Sequence, residues 1–114
     1  MRNDQLSIQS MDFAVQIINL VKDLKTKHET IISNQIGRSG TSIGANIREA
    51  QYAHGTADFI AKLQIALKEC SETEYWIELL IESGYYSDNG VLDKCVEVKK
   101  ILISSVNTAK SKQS

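Results

Sequence analysis

Apolar residues recur every three or four positions along most of this chain, and the longest regular run lies between positions 56 and 83. Alternating steps of four and three keep one face of a helix against its neighbours, as in coiled coils. We therefore predict one unbroken helix of ~42 Å over 56–83, with Thr56 as its N-terminal cap. The apolar seam of this helix consists of Phe59, Leu63, Ala66, Cys70, Thr73, Ile77 and Leu80.

The same pattern predicts three further helices, over 5–26, 29–53 and 91–109. No proline interrupts the chain, so no position carries the ring clash that ends a helix. The first helix has two adjacent apolar stripes, which predict contacts on two of its sides. These stripes are Met11, Ala14, Ile18 and Val21, and beside them Phe13, Ile17, Leu20 and Leu24.

The second helix is helical by pattern but weak by propensity. Gly37, Gly40 and Gly44 each cost about 1 kcal/mol relative to alanine inside a helix, so packing against other helices has to hold it. The same small residues would let another backbone approach closely. A loop with a break over 38–44 is the alternative interpretation.

Four amphipathic helices with short connections favour antiparallel neighbours. We predict an all-α fold, an antiparallel up-and-down four-helix bundle, formed by a single domain over 1–114. The apolar stripes are wider than one bundle core needs, which indicates self-association.

Composition and charge place the chain among ordinary globular proteins. Hydrophobic residues make up 42% of it and the net charge is -1. No apolar run reaches the roughly 18 residues of a membrane span, and the N-terminus lacks the pattern of a secretory signal, so we expect a cytoplasmic protein without a membrane partner. Positions 58–88 are acidic and positions 91–114 basic, and these two segments should attract each other if they are adjacent.

No residue pattern predicts a reaction. The glycine-rich run 37–44 lacks the lysine and the spacing of a phosphate-binding loop, and His28-Glu29 lacks the second histidine of a zinc protease. Neither histidine follows a glutamate by three positions, as the di-metal sites of helical bundles require. We predict no enzyme, no cofactor and no metal, with Cys70 and Cys95 as buried free thiols.

Basic residues of the second and fourth helices are the candidates for nucleic-acid contact. Phosphates are bound by concentrated positive charge, whereas the third helix is strongly acidic. Trp76 lies one position off the apolar seam and is a candidate interface residue, because tryptophan is enriched at binding hot spots. The candidate nucleic-acid contacts are Arg38, Arg48, Lys94, Lys99 and Lys100.

The run from Asn34 to Ala50 resembles the signature of the bacterial four-helix-bundle proteins encoded in intervening sequences of 23S rRNA genes. In that family a Gln-Ile/Leu-Arg-Arg-Ala-x-x-Ser-Ile-Pro-x-Asn-Ile-Ala-Glu-Gly run lies on the second helix. Here Gly44 replaces the proline and Ala50 the final glycine, so we expect the kink of that helix to be softer or absent. The matching residues are Gln35, Ile36, Arg38, Ser42, Ile43, Asn46, Ile47 and Glu49.

The resemblance implies a four-helix bundle that assembles as a ring-like homopentamer, with no established enzymatic activity. A related branch, the accessory proteins of diversity-generating retroelements, uses a strongly basic bundle surface to bind nucleic acid and a reverse transcriptase. We therefore expect a non-enzymatic homo-oligomer associated with RNA or with a nucleic-acid-processing protein. The alternative is direct nucleic-acid binding by arginines and lysines of the second and fourth helices.

Overall fold

Four helices account for nearly all of the chain in a computed structural model that describes residues 4–87 and 90–113. The predicted bounds hold for the first helix, while the second is shorter at both ends, the third is one residue shorter and the fourth is longer. The polar C-terminal residues continue the last helix instead of leaving it. The helices are α1 (Gln5–Thr26), α2 (Ile31–Ala50), α3 (Thr56–Glu82) and α4 (Gly90–Gln113).

The helices form an up-and-down bundle of 48 × 22 × 21 Å. Each packs on the next along the chain, and α1 also packs on α4. Within the described residues α1 and α3 do not pack on each other, and neither do α2 and α4, so each pair lies across the bundle diagonal. The all-α four-helix prediction is confirmed. None of the described helices is long and apolar enough to span a membrane.

Side chains that precede α1 and α2 bind the free N–H groups of their first turns. Asp4 caps α1, since its Oδ1 accepts a hydrogen bond of 2.7 Å from the N–H of Ser7. The buried carboxylate of Glu29 accepts hydrogen bonds from the N–H groups of residues 31–33, at 2.8 to 3.1 Å. Glu29 therefore precedes α2 as its anchor, whereas the sequence pattern places it inside the helix.

Glycine residues mark both ends of α3. The N-cap residue is Gly55, so no side chain caps this end of the helix. The predicted cap, Thr56, is instead the first helical residue. At the other end Gly84 has a φ of 85°, a left-handed conformation that glycine adopts without a steric penalty. The chain can thus turn from α3 toward α4 within a few residues.

A buried hydrogen bond joins α2 to α3 inside a mainly apolar core. The hydroxyls of Ser39 and Thr73, both fully buried, are 2.8 Å apart. Because Thr73 donates its own proton to the carbonyl oxygen of Glu69, Ser39 is the donor between the two hydroxyls. The largest fully buried apolar side chains around them are Phe13, Ile17, Leu24, Ile36, Ile43, Leu63, Ile77, Leu80 and Leu102.

The side chain of Ile17 on α1 lies directly against Gly40 of α2. A Cβ built on Gly40 would lie 2.9 Å from both γ-carbons of Ile17, closer than carbon atoms pack. At Gly37 the nearest atom would be a γ-carbon of Val21 at 3.5 Å, an ordinary contact. The helix runs unbroken through all of these positions, so the alternative of a loop over 38–44 is wrong.

Alanine substitution should change the free energy of unfolding in opposite directions at Gly37 and Gly40. We expect Gly37→Ala to raise the free energy of unfolding by about 0.5–1 kcal/mol, because alanine restricts the unfolded chain and fits the space. We expect Gly40→Ala to lower it by about 1–2 kcal/mol, because the cost of overpacking against Ile17 exceeds that gain. Urea unfolding followed by circular dichroism measures both. Equal stabilisation by the two variants would contradict the close approach.

Candidate functional site

One of the two apolar stripes of α1 is covered only in part, since Ala14 and Val21 are half-buried. The stripe that contains Phe13 and Ile17 is buried in the core. The sequence pattern predicts Met11 and Ile18 as packed residues too, yet both point outward. With two residues that the pattern analysis does not single out, they form a line at steps of three and four, each side chain 44–54% exposed. We call this line the α1 stripe, and it consists of Ile8, Met11, Val15 and Ile18.

A shallow groove of about 380 Å³ runs beside the α1 stripe, between α1 and α2. Its floor is made of small residues, because α2 contributes Gly44 and Ala45 there. Arg48 stands at the edge of the groove, exposed, and has no ion-pair partner among residues 4–87 and 90–113. The groove and the stripe together form a mostly apolar surface that another helix could fill.

The signature residues of α2 divide into core residues and residues that support the helix itself. Ile36, Ile43 and Ile47 are buried. Ser42 donates a hydrogen bond of 2.7 Å to the carbonyl oxygen of Arg38, and Asn46 donates one of 2.9 Å to that of Ser42. These bonds run within α2 and tie both side chains to the backbone of their own helix.

The three remaining signature residues, Gln35, Arg38 and Glu49, lie on the exposed side of α2. Glu49 pairs with Lys62 of α3 at 3.1 Å, and Gln35 is exposed. The signature is therefore mainly a description of how α2 packs.

Arg38 is held by two carboxylates of α3. Its guanidinium pairs with Glu69 at 3.2 Å and with Glu72, which also accepts a hydrogen bond of 3.0 Å from the indole N–H of Trp76. The hydrogen bond from Arg38 holds the pKa of Glu72 below its ordinary value, and the two glutamates raise the pKa of Arg38. Trp76 itself is half-buried and meets the ring of Tyr75 edge-on at 5.2 Å.

The other candidate cations point to different sides of the bundle. Lys99 pairs with Glu74 of α3 at 2.7 Å, which raises the pKa of Lys99 and realises the expected attraction between the acidic and basic segments. Lys94 pairs with Glu97 at 3.1 Å and also donates to Gln9 of α1.

The five candidates are therefore not gathered on one surface of a single chain. Lys100 is exposed and, in the described part of the chain, unpaired. Arg38 faces α3 from α2, Lys99 faces α3 from α4, Lys94 faces α1, and Arg48 borders the α1 and α2 groove. Nucleic-acid contact by these residues stays a prediction.

The two cysteines face each other in the core between α3 and α4. Their Sγ atoms are 3.8 Å apart, both thiols are free, and both residues are fully buried. The hydrogen bond with Cys70 and burial raise the pKa of the Cys95 thiol, which keeps it protonated. Among residues 4–87 and 90–113 no three histidine, cysteine, aspartate or glutamate side chains come together as a metal site would need.

Comparison with known proteins identifies a family and a solved structure of similar sequence. The family model described as 23S rRNA-intervening sequence protein matches residues 3–104. A crystal structure of a protein with unknown function from the S23 ribosomal protein family of Bacteroides thetaiotaomicron is 50% identical in sequence, with a TM-score of 0.87. The similarity covers 89% of this chain and 97% of that one. No curated protein sequence matches.

The ion pairs of Arg38 should make stability depend on pH. The pKa of Glu72 is lower in the folded than in the unfolded chain, so its contribution is complete above the unfolded pKa and is lost as the pH falls through the folded value. We expect Arg38→Gln to lower the melting temperature by a few degrees at neutral pH, and we expect this difference to disappear in acid, once Glu72 is protonated in the folded chain. Circular dichroism melting curves across this range measure the effect.

Lys68→Gln is the matched control, because Lys68 is exposed on α3 and lacks an ion-pair partner among the described residues. It should leave the melting temperature unchanged at both pH values. A difference between wild type and Arg38→Gln that persists in acid would show that the arginine stabilises the fold by packing rather than by charge.

Proposed function

This chain belongs to the family of 23S rRNA-intervening sequence proteins, and from that premise we propose that it is a non-enzymatic protein that works as a homo-oligomer assembled through the α1 stripe. The observation that carries the proposal is the stripe itself. Four large apolar side chains in line on one helix are each about half exposed, whereas the neighbouring stripe of the same helix, with Phe13 and Ile17, is buried. Covering them would remove apolar surface from water, at about 25 cal/mol per Å².

The groove next to the stripe supports the same proposal. Small side chains such as Gly44 and Ala45 let a second helix approach closely, and Met11 borders both the groove and the stripe. A second copy of the chain is present at equal concentration by definition and presents the same helices. Five copies in a ring is the number that the family resemblance implies, and we propose that number here.

We assign no reaction to the protein. Its solved relative is described as a protein with unknown function, so no activity is carried over from it. The free thiols of Cys70 and Cys95, 3.8 Å apart, fit a reducing compartment, and we therefore propose a cytoplasmic location. The partner that we propose for the assembled form is RNA or a nucleic-acid-processing protein, in keeping with the family's intervening sequences in rRNA genes.

Charge in the α1 stripe should break the assembly. We expect wild type to elute as an oligomer at micromolar concentration, and Met11→Glu with Val15→Glu to elute as a folded monomer, because buried unpaired carboxylates oppose association. Size-exclusion chromatography with multi-angle light scattering gives the mass, and circular dichroism verifies the fold. Both replaced side chains are exposed, so the monomer should keep its helix content.

Ser104→Glu with Asn107→Glu is the control, since both residues are exposed on α4 and the change in charge is the same. This variant should assemble like wild type. A monomeric wild type, or an oligomer that survives both pairs of substitutions, would contradict the proposal.

Nucleic-acid contact, if the assembly makes it, should depend on the unpaired cations. We expect Arg48→Ala with Lys100→Ala to weaken RNA binding several-fold. The salt dependence should also fall, because binding with fewer phosphate contacts releases fewer counterions. Arg38→Ala should change affinity less, since Glu69 and Glu72 already neutralise that arginine. Filter binding at two salt concentrations measures both. Absence of binding by the wild-type oligomer at low salt would end the nucleic-acid role.

A further inference from the structure

The outer face of α3 is the second place where the bundle leaves large apolar side chains exposed along a helix. Tyr75 is 57% exposed with the half-buried Trp76 and Leu79 beside it, and Ile65, 43% exposed, lies ~15 Å from Tyr75 along the same helix. We call these residues the α3 patch. On the described outer face of α4, Ile103 is the single large apolar residue exposed to this degree.

The α1 stripe and the α3 patch lie on opposite helices of the bundle diagonal. Two different surfaces on different sides of one subunit can form a heterologous contact, in which one surface of each copy binds the other surface of the next. Repeating such a contact by rotation closes a ring. A self-complementary contact of one surface with itself would give a dimer instead.

Charged residues continue both apolar surfaces at the same end of the bundle. Lys22 and Lys25 follow Ile18 at steps of four and three, in line with the α1 stripe. Glu78 and Glu82 are exposed on α3 beyond Tyr75. None of the four charged side chains has an ion-pair partner within the described ranges, although most other acidic residues of α3 are paired inside the chain.

Contacts through α2 fix the relative levels of α1 and α3, which run in the same direction. Ile17 of α1 lies against Gly40 of α2. The neighbouring residue of α2, Ser39, is hydrogen-bonded to Thr73 of α3. Ile17 and Thr73 therefore lie at about the same level along the bundle.

The charged residues of both helices lie at matching distances from this level. A helix rises ~1.5 Å per residue, which places Lys22 and Lys25 ~8 to 12 Å beyond it and Glu78 and Glu82 ~8 to 14 Å beyond it. A rotation about an axis parallel to the bundle keeps every level unchanged. The lysines of one copy would then face the glutamates of the next, with Ile18 at about the level of Tyr75 just below them and Ile8 at about the level of Ile65 toward the other end.

We propose that the α1 stripe of each copy packs on the α3 patch of the next, and that Lys22 and Lys25 pair with Glu78 and Glu82 across this contact. The inference rests on the proposed function, because it names the surface that covers the α1 stripe. The occupant is a second copy of this chain, chosen because its charges are complementary in sign and level. Both pairs of charges lie near the edge of the contact, where they select the partner surface and its register.

Charge reversal on each surface, alone and together, tests the pairing. One variant carries Lys22→Glu with Lys25→Glu, a second carries Glu78→Lys with Glu82→Lys, and a third carries all four changes. We expect each two-residue variant to raise the dissociation constant of the oligomer at least tenfold, because like charges then face each other. The four-residue variant should return to within about threefold of wild type, since complementarity is restored with the signs exchanged.

Analytical ultracentrifugation over a concentration series measures the dissociation constants, and circular dichroism verifies that every variant is folded. Lys100→Glu with Lys110→Glu changes the charge of α4 by the same amount and should leave assembly unchanged. An oligomer that weakens with the lysine changes, ignores the glutamate changes and is not restored by all four would overturn the α1 to α3 pairing in favour of α1 against α1. The proposed function would survive that result, whereas a monomeric wild type would overturn both.

Discussion

The contact of Ile17 with Gly40 is the constraint on which the packing of α1 against α2 depends. A Cβ at position 40 would collide with the Ile17 side chain, so glycine is what lets this isoleucine lie directly against α2. With this face of α2 turned toward α1, Arg38 on another side meets the glutamates of α3, and Arg48 lies beside the groove.

Polar contacts then hold this arrangement in register. The Ser39 to Thr73 hydrogen bond fixes the level of α2 against α3 in a core where apolar side chains could slide past one another. Glu29 binds the first N–H groups of α2 from a buried position, so this weak helix begins at one defined residue. These two sets of polar contacts therefore fix the positions of the helices, whereas the apolar seams stabilise the bundle.

Periodicity predicts the helices well because a helix that is buried on one side repeats its apolar residues every three or four positions. The seam of α3 is buried as expected, apart from half-buried Phe59. Periodicity is silent on which neighbour covers an apolar stripe, and for this reason Met11 and Ile18 look like core residues in the sequence. The sequence pattern also does not predict which glutamates of α3 pair with Arg38 and with Lys99, because this depends on the levels of separate helices. The steps of three and four in the α1 stripe are visible in the sequence, but they indicate an apolar surface without showing what covers it.

The glycines of α2 also bear on the order in which the chain can fold. A helix with three glycines in its middle does not persist alone in water, and α2 obtains its support from α1 on one side and α3 on the other. During synthesis α2 leaves the ribosome before α3 exists, so it has a partner on one side only. The long, regular α3 is better able to form by itself. The second helix therefore has its full set of supporting contacts only after the third has been synthesised, although its own residues are translated earlier.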